Sequence, residues 1–174
     1  MYRSLIALCL AGCVAFEGSP PTTPDATPVV PDATVIDGSE TLAEASERVT
    51  TRFQACMMLT DFVESNMTIW AELAAGAPQG KCINCHGNGE YGFIASSDPT
   101  TFFEALRMTK ILLLQYLTPD LTEGPSRANM MVNTNHLLTV GQGEGGMHSM
   151  FEPQPGLDAA ERFVAATQAR AGCP

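Results

Sequence analysis

The sequence predicts a mainly α-helical domain, and three observations carry that prediction. Ala, Leu, Met and Glu, which suit helices, are plentiful in a chain that is 45% hydrophobic but only 7% aromatic. Apolar residues recur at spacings of three and four in two stretches, one early and one at the end. Cap signals stand at the head of each. At 174 residues the chain has the length of one domain with a tail to spare.

The tail comes first. Met1-Tyr2-Arg3 is a short basic start, and Ser4 to Gly12 is small and apolar. That is the pattern of an export signal, too short to span a bilayer. Leu10-Ala11-Gly12-Cys13 closes it and resembles the lipobox of bacterial lipoproteins. The resemblance implies that residues 1–12 are removed as a signal peptide and that Cys13 is acylated. An ordinary secretory signal cut elsewhere is the alternative. Ala15, rather than an Asp, stands two residues after Cys13. By the same analogy the expected anchorage is the outer membrane, on its periplasmic or cell-surface side.

Residues 13–38 then read as the lipidated Cys followed by a disordered, Pro/Thr-rich linker. Ser19-Pro20-Pro21-Thr22-Thr23-Pro24, Pro28 and Pro31 interrupt every possible helix. Extended polyproline geometry would carry the domain up to ~70 Å from its lipid.

The domain occupies 39–174. Asp37-Gly38-Ser39-Glu40 and Thr41-Leu42-Ala43-Glu44 both have the form of a capping box. Leu42, Ala45, Val49, Phe53, Cys56 and Val63 form one stripe, which predicts a helix running to about Val63, with a second helical piece over 67–75. Gly76-Ala77-Pro78-Gln79-Gly80 breaks the chain. Asp98-Pro99 starts another helix, expected over Thr100–Leu117 and ended by Pro119. Its segment Ile111–Leu114 is continuously apolar and could instead be a strand. Residues 124–146 are rich in loop signals, and the sequence resolves no element there. Asp158 opens a last helix with Leu157, Ala160, Phe163, Val164 and Thr167 on one face and Gly172 as its stop.

Between the early and central helices lies Cys82-Ile83-Asn84-Cys85-His86. Two thiols three apart, followed at once by an imidazole, are the requirement for attaching one covalent haem c: thioethers from Cys82 and Cys85, and His86 as the proximal iron ligand. Such attachment occurs outside the cytoplasm, in agreement with the export signal. Three other readings compete. A thioredoxin-type dithiol wants a preceding βαβ pattern, which is absent. Zinc needs four ligands, and only His136 or His148 could complete the set. A plain Cys82–Cys85 disulfide leaves His86 unexplained.

Six cysteines are present. Cys9 leaves with the signal, Cys13 takes lipid, and Cys82 and Cys85 take haem. Cys56 and Cys173 remain and are expected to form a disulfide pinning the first and last helices, two separate buried thiols being the alternative.

The second axial ligand should come from the loop before the last helix. Gly145-Gly146-Met147-His148-Ser149-Met150-Phe151 offers three candidates. His148 is the first choice, with Met150 and Met147 as alternatives, and a five-coordinate iron also remains open. Met ligation raises a haem potential and a second His lowers it. Met130-Met131 and Met57-Met58 read better as core, and His136 as a surface residue or cap.

The order helix, haem motif, central helix, loop, terminal helix is that of a mono-haem cytochrome c. Cys56-Met57, Asp61-Phe62, the haem motif with Gly87-Asn88-Gly89, and His148-Ser149-Met150-Phe151 resemble small lipid-anchored cytochrome c-like proteins of deltaproteobacterial type. In that group the late element is His-Pro-x-Phe, with Ser149 here in place of the Pro. The first reading is a membrane-tethered one-electron carrier rather than an enzyme, because there is one haem motif and no evident acid/base pair beside it. The haem subunit of a larger oxidoreductase and a non-haem surface lipoprotein are the alternatives. The formal charge of −10 disfavours nucleic acid and favours a redox partner protein with a basic docking surface.

Overall fold

The structure, a computed structural model, describes residues 40–76, 80–141 and 151–174. The expected signal peptide, Cys13 and the linker lie outside these residues. The fold is mainly helical, with two small antiparallel ladders.

Helix α1 covers Leu42–Cys56 and starts from the second of the two expected capping boxes. The Thr41 hydroxyl accepts from the Glu44 N–H at 3.3 Å, and the Glu44 carboxylate accepts from the Thr41 N–H at 2.9 Å. Ala45, Val49, Phe53 and Cys56 are fully buried, whereas Leu42 and Val63, the ends of the expected stripe, are exposed. The helix does not reach Val63. Met57 turns to an extended conformation, and the chain re-enters helix as α2, Leu59–Glu64. A long-range contact explains the break: the Cys56 carbonyl accepts from Arg170 Nη1 at 3.0 Å, so it is capped from outside the helix. After the break Phe62, not Val63, points inwards.

Helix α3 is confined to Ile69–Glu72, shorter than the piece expected over 67–75. Strand β1 (Ala74–Gly76) follows and pairs with β2 (Gly80–Lys81). The glycine-rich break is therefore flanked by a small ladder that leads directly into the one-turn helix α4, Ile83–His86.

Helix α5 is Pro99–Met108, with the Asp98 carboxylate accepting from the Thr101 N–H at 2.6 Å. It stops at Thr109, whose extended backbone separates it from α6, Lys110–Tyr116. Ile111–Leu114 is helical, so the strand alternative does not stand. The bend lets α5 pack on α1 and α2 while α6 packs on the segments around His86 and on α7. Beyond it, Leu117–Asp120 (β3) pairs antiparallel with Asn129–Val132 (β4), Pro119 lying opposite Met130. Pro119 thus sits within a strand rather than merely ending a helix, as a strand with an unpaired edge allows. Helix α7 is Thr134–Gly141. The loop-rich stretch in which the sequence resolves no element therefore contains β4 and α7.

Helix α8 is Gln154–Gln168 and starts four residues before Asp158, with Pro155 in its first turn. Its expected face is buried throughout. The helix ends at Gln168, four residues before the expected stop, and Gly172, left-handed at φ +82°, lies in the tail beyond it. The core gathers Phe53, Phe62, Phe102, Phe103 and Phe163 in edge-to-face contacts, Phe62 lying 5.2 Å from Phe102 and 5.4 Å from Phe163. Cys56 and Cys173 are joined as a disulfide, Cα–Cα 5.9 Å. Arg52 donates to the Gly172 carbonyl at 2.5 Å, and Arg170 pairs with Asp61, so the C-terminal tail is tied down at several points.

Candidate functional site

The motif residues are presented by the single turn of α4. Cys82 is the residue before its first helical position, and its N–H donates to the Leu73 carbonyl at 3.1 Å, which anchors the turn to the end of β1. The His86 N–H donates back to the Cys82 carbonyl at 3.0 Å. Residues four apart share a helix face, and Cys82 and His86 are both buried while Cys85 is half-buried.

His86 is fixed from three directions. Its Nδ1 lies 3.0 Å from the Glu90 carbonyl oxygen. Its own carbonyl accepts from the Gly89 and Ala95 N–H groups at 3.2 and 2.9 Å. The ring of Phe93 meets the imidazole edge to face at 5.2 Å. Gly89 makes this return possible, since its backbone is left-handed at φ +81°. A carbonyl can only accept, so Nδ1 carries the proton of the neutral ring and the lone pair is on Nε2.

Behind His86 stands an aromatic wall. Phe93 lies 4.7 Å from Tyr116, and Tyr116 lies 5.2 Å from Trp70. The Tyr116 hydroxyl donates to the Ile94 carbonyl. Burial, and then the neighbouring Cys82 thiol, hold Tyr116 well above the usual phenol range, so it stays a neutral donor. Burial likewise pushes the Cys82 thiol up to about 11. Redox-active Cys-x-x-Cys pairs need a lowered thiol pKa, so Cys82 has the opposite character.

Among the described residues no three His, Cys, Asp or Glu side chains converge as a metal chelate does. His136, a possible zinc ligand on sequence grounds, has Nε2 2.9 Å from Gln115 Oε1. Met130 and Met57 are core residues, as read, while Met131 is exposed. Met147, His148 and Met150 lie outside the described residues.

The chain's own features fit a c-type haem. The two thiols and the imidazole are spread along one turn, and the imidazole is oriented by a backbone carbonyl. The Nε1–H of Trp70 is buried with no acceptor among the described residues. Glu90, Phe93, Tyr116 and Trp70 were not legible as site residues. Glu90 acts through its main chain, and Trp70, the sole tryptophan, was the one signal available.

Comparison with known protein families, with curated proteins and with solved structures finds no match to this chain.

Proposed function

We infer that this protein is a membrane-tethered, mono-haem c-type cytochrome that carries single electrons. The observation that carries the reading is the clamp on His86. A histidine next to two cysteines, with Nδ1 tied to the Glu90 carbonyl, is arranged as a metal-binding imidazole rather than as a solvent-facing residue. Cys82 and Cys85 would hold the haem through thioethers, and His86 Nε2 would ligate its iron. The haem, when bound, supplies a one-electron Fe(III)/Fe(II) couple.

The remaining residues orient and exclude water. Phe93 and the Glu90 carbonyl keep the imidazole from rotating, and Tyr116 and Trp70 close the apolar side. The charge pattern supports docking to a basic partner. Every Lys and Arg of the described residues is engaged inside the chain. Six pair with carboxylates, and Arg52 and Arg162 donate to the Gly172 and Ser65 carbonyls. The uncompensated charge is thus carboxylate, and association should slow as salt rises.

The test is production with a haem-maturation system. The purified chain should stay red after denaturation and carry the mass of one haem on the peptide containing Cys82 and Cys85. Colourless protein overturns the reading. The absorption spectrum then addresses the second axial position: a weak charge-transfer band would indicate Met147 or Met150, and a bis-His spectrum lost in His148→Ala would indicate His148.

A further inference from the structure

We propose that Asn66 is an acceptor for an N-linked oligosaccharide. Asn66-Met67-Thr68 is a match to Asn-x-Ser/Thr, and none of the other five asparagines has a hydroxyl residue two positions on. The motif demands an exported protein and a surface turn. Export is the expectation from residues 1–12, on which this inference rests. The haem is not needed for it.

The turn is shown by the structure. Asn66 lies between α2 and α3, is exposed, and is the one non-glycine among the described residues with positive φ, at +61°. A left-handed asparagine often turns its carboxamide onto the nearby backbone. Here the backbone does that work alone: the Asn66 N–H donates to the Val63 carbonyl at 2.9 Å, and its carbonyl accepts from the Ile69 N–H at 3.0 Å. The carboxamide makes no hydrogen bond to any described residue. Thr68 stands at the cap position of α3, yet its hydroxyl caps nothing. The fold therefore leaves unengaged both polar groups that a transferase reads. Glu64, two residues before Asn66, is exposed and makes no ion pair or hydrogen bond, so it offers a carboxylate to a basic subsite.

The donor class is a sugar linked to a membrane polyprenyl diphosphate. Asn66 Nδ2 forms the bond to the anomeric carbon and loses one proton. The carbon–oxygen bond to the diphosphate breaks, and the diphosphate leaves with the electron pair.

Trypsin separates this site from the haem motif, because cleavage after Arg52, Lys81 and Arg107 puts Asn66 in 53–81 and Cys82 in 82–107. The full chain, purified from the membranes of the cells that make it and reduced to open the Cys56–Cys173 bridge, should yield 53–81 heavier by a whole number of sugar residues. A peptide of bare mass overturns the inference. Asn66→Gly, which suits positive φ, and Thr68→Ala should each abolish the added mass, while Thr68→Ser should keep it. Added mass that survives Asn66→Gly overturns the assignment. Sugar on 53–81 without haem on 82–107 supports this inference and defeats the cytochrome reading instead.

Discussion

Gly156, in the first turn of α8, lies flat against the indole of Trp70: a Cβ at that position would come 2.4–2.7 Å from three ring carbons. Atoms cannot share that space, so Gly156→Ala must displace either the helix or the indole. Overpacking of this kind costs about 1–3 kcal/mol. The urea midpoint should fall, and the fluorescence of the only tryptophan should shift. An unchanged midpoint would show that α8 slides at no cost.

Tyr116→Phe leaves the buried Ile94 carbonyl without its donor. A stranded buried acceptor costs about 1–3 kcal/mol, and the ring contacts with Phe93 and Trp70 remain. Stability in denaturant should drop by that amount, and on the cytochrome reading proposed above the peptide bearing Cys82 and Cys85 should keep its mass.

Acid should destabilise the domain in a defined window. The Thr101 N–H lowers the pKa of Asp98 and the Thr122 N–H that of Asp120, while a hydrogen bond from Arg48 lowers that of Glu40. Each folded value lies below the unfolded one, so on acidification the unfolded chain takes up protons first. The stabilisation is complete above about pH 4–5 and is lost as pH falls through the lower folded values. The melting temperature should be level from about pH 5 to 7 and decline below that. Asp98→Asn, which keeps an acceptor at the cap but cannot ionise, should show a shallower decline. A melting temperature that stays level into strong acid would contradict this.

The disulfide joins residues 117 apart. In the chain-entropy account, closing so long a loop contributes about 4–5 kcal/mol, acting through the unfolded state. Cys173→Ala is the cleaner test, because Cys56 is fully buried and Cys173 is not. The tail keeps its bonds from Arg52 and Arg170, so the native fold should persist with a lower denaturant midpoint. Equal midpoints would mean that the bridge constrains nothing.

Features set by neighbouring residues were legible in the sequence. Thr41 with Glu44 and Asp98 before Pro99 each act within a few positions, and each behaves as read. Features set from a distance were not. The stop at Met57 depends on Arg170, more than a hundred residues away, and no periodicity reports it. The pairing of Leu117–Asp120 with Asn129–Val132 joins two segments with no clear alternation of their own. The candidate site divides the same way. Cys82, Cys85 and His86 announce themselves by spacing, whereas the carbonyl of Glu90 belongs to a group every residue has. Trp70 sits on a helix of four residues, too short to show a face.

The disulfide also decides how the domain would respond to tension. In a chain held by its N-terminus, a pull enters at Glu40 and travels along α1. The covalent ring closed by Cys56 and Cys173 contains Cys82, Cys85 and His86, and force applied from that side cannot lengthen it. Only the stretch from Glu40 to Cys56 can be drawn out, about 60 Å at full extension. The bridge thus works as a mechanical stop: the leash can unravel α1, while the turn bearing His86 lies beyond the loaded path.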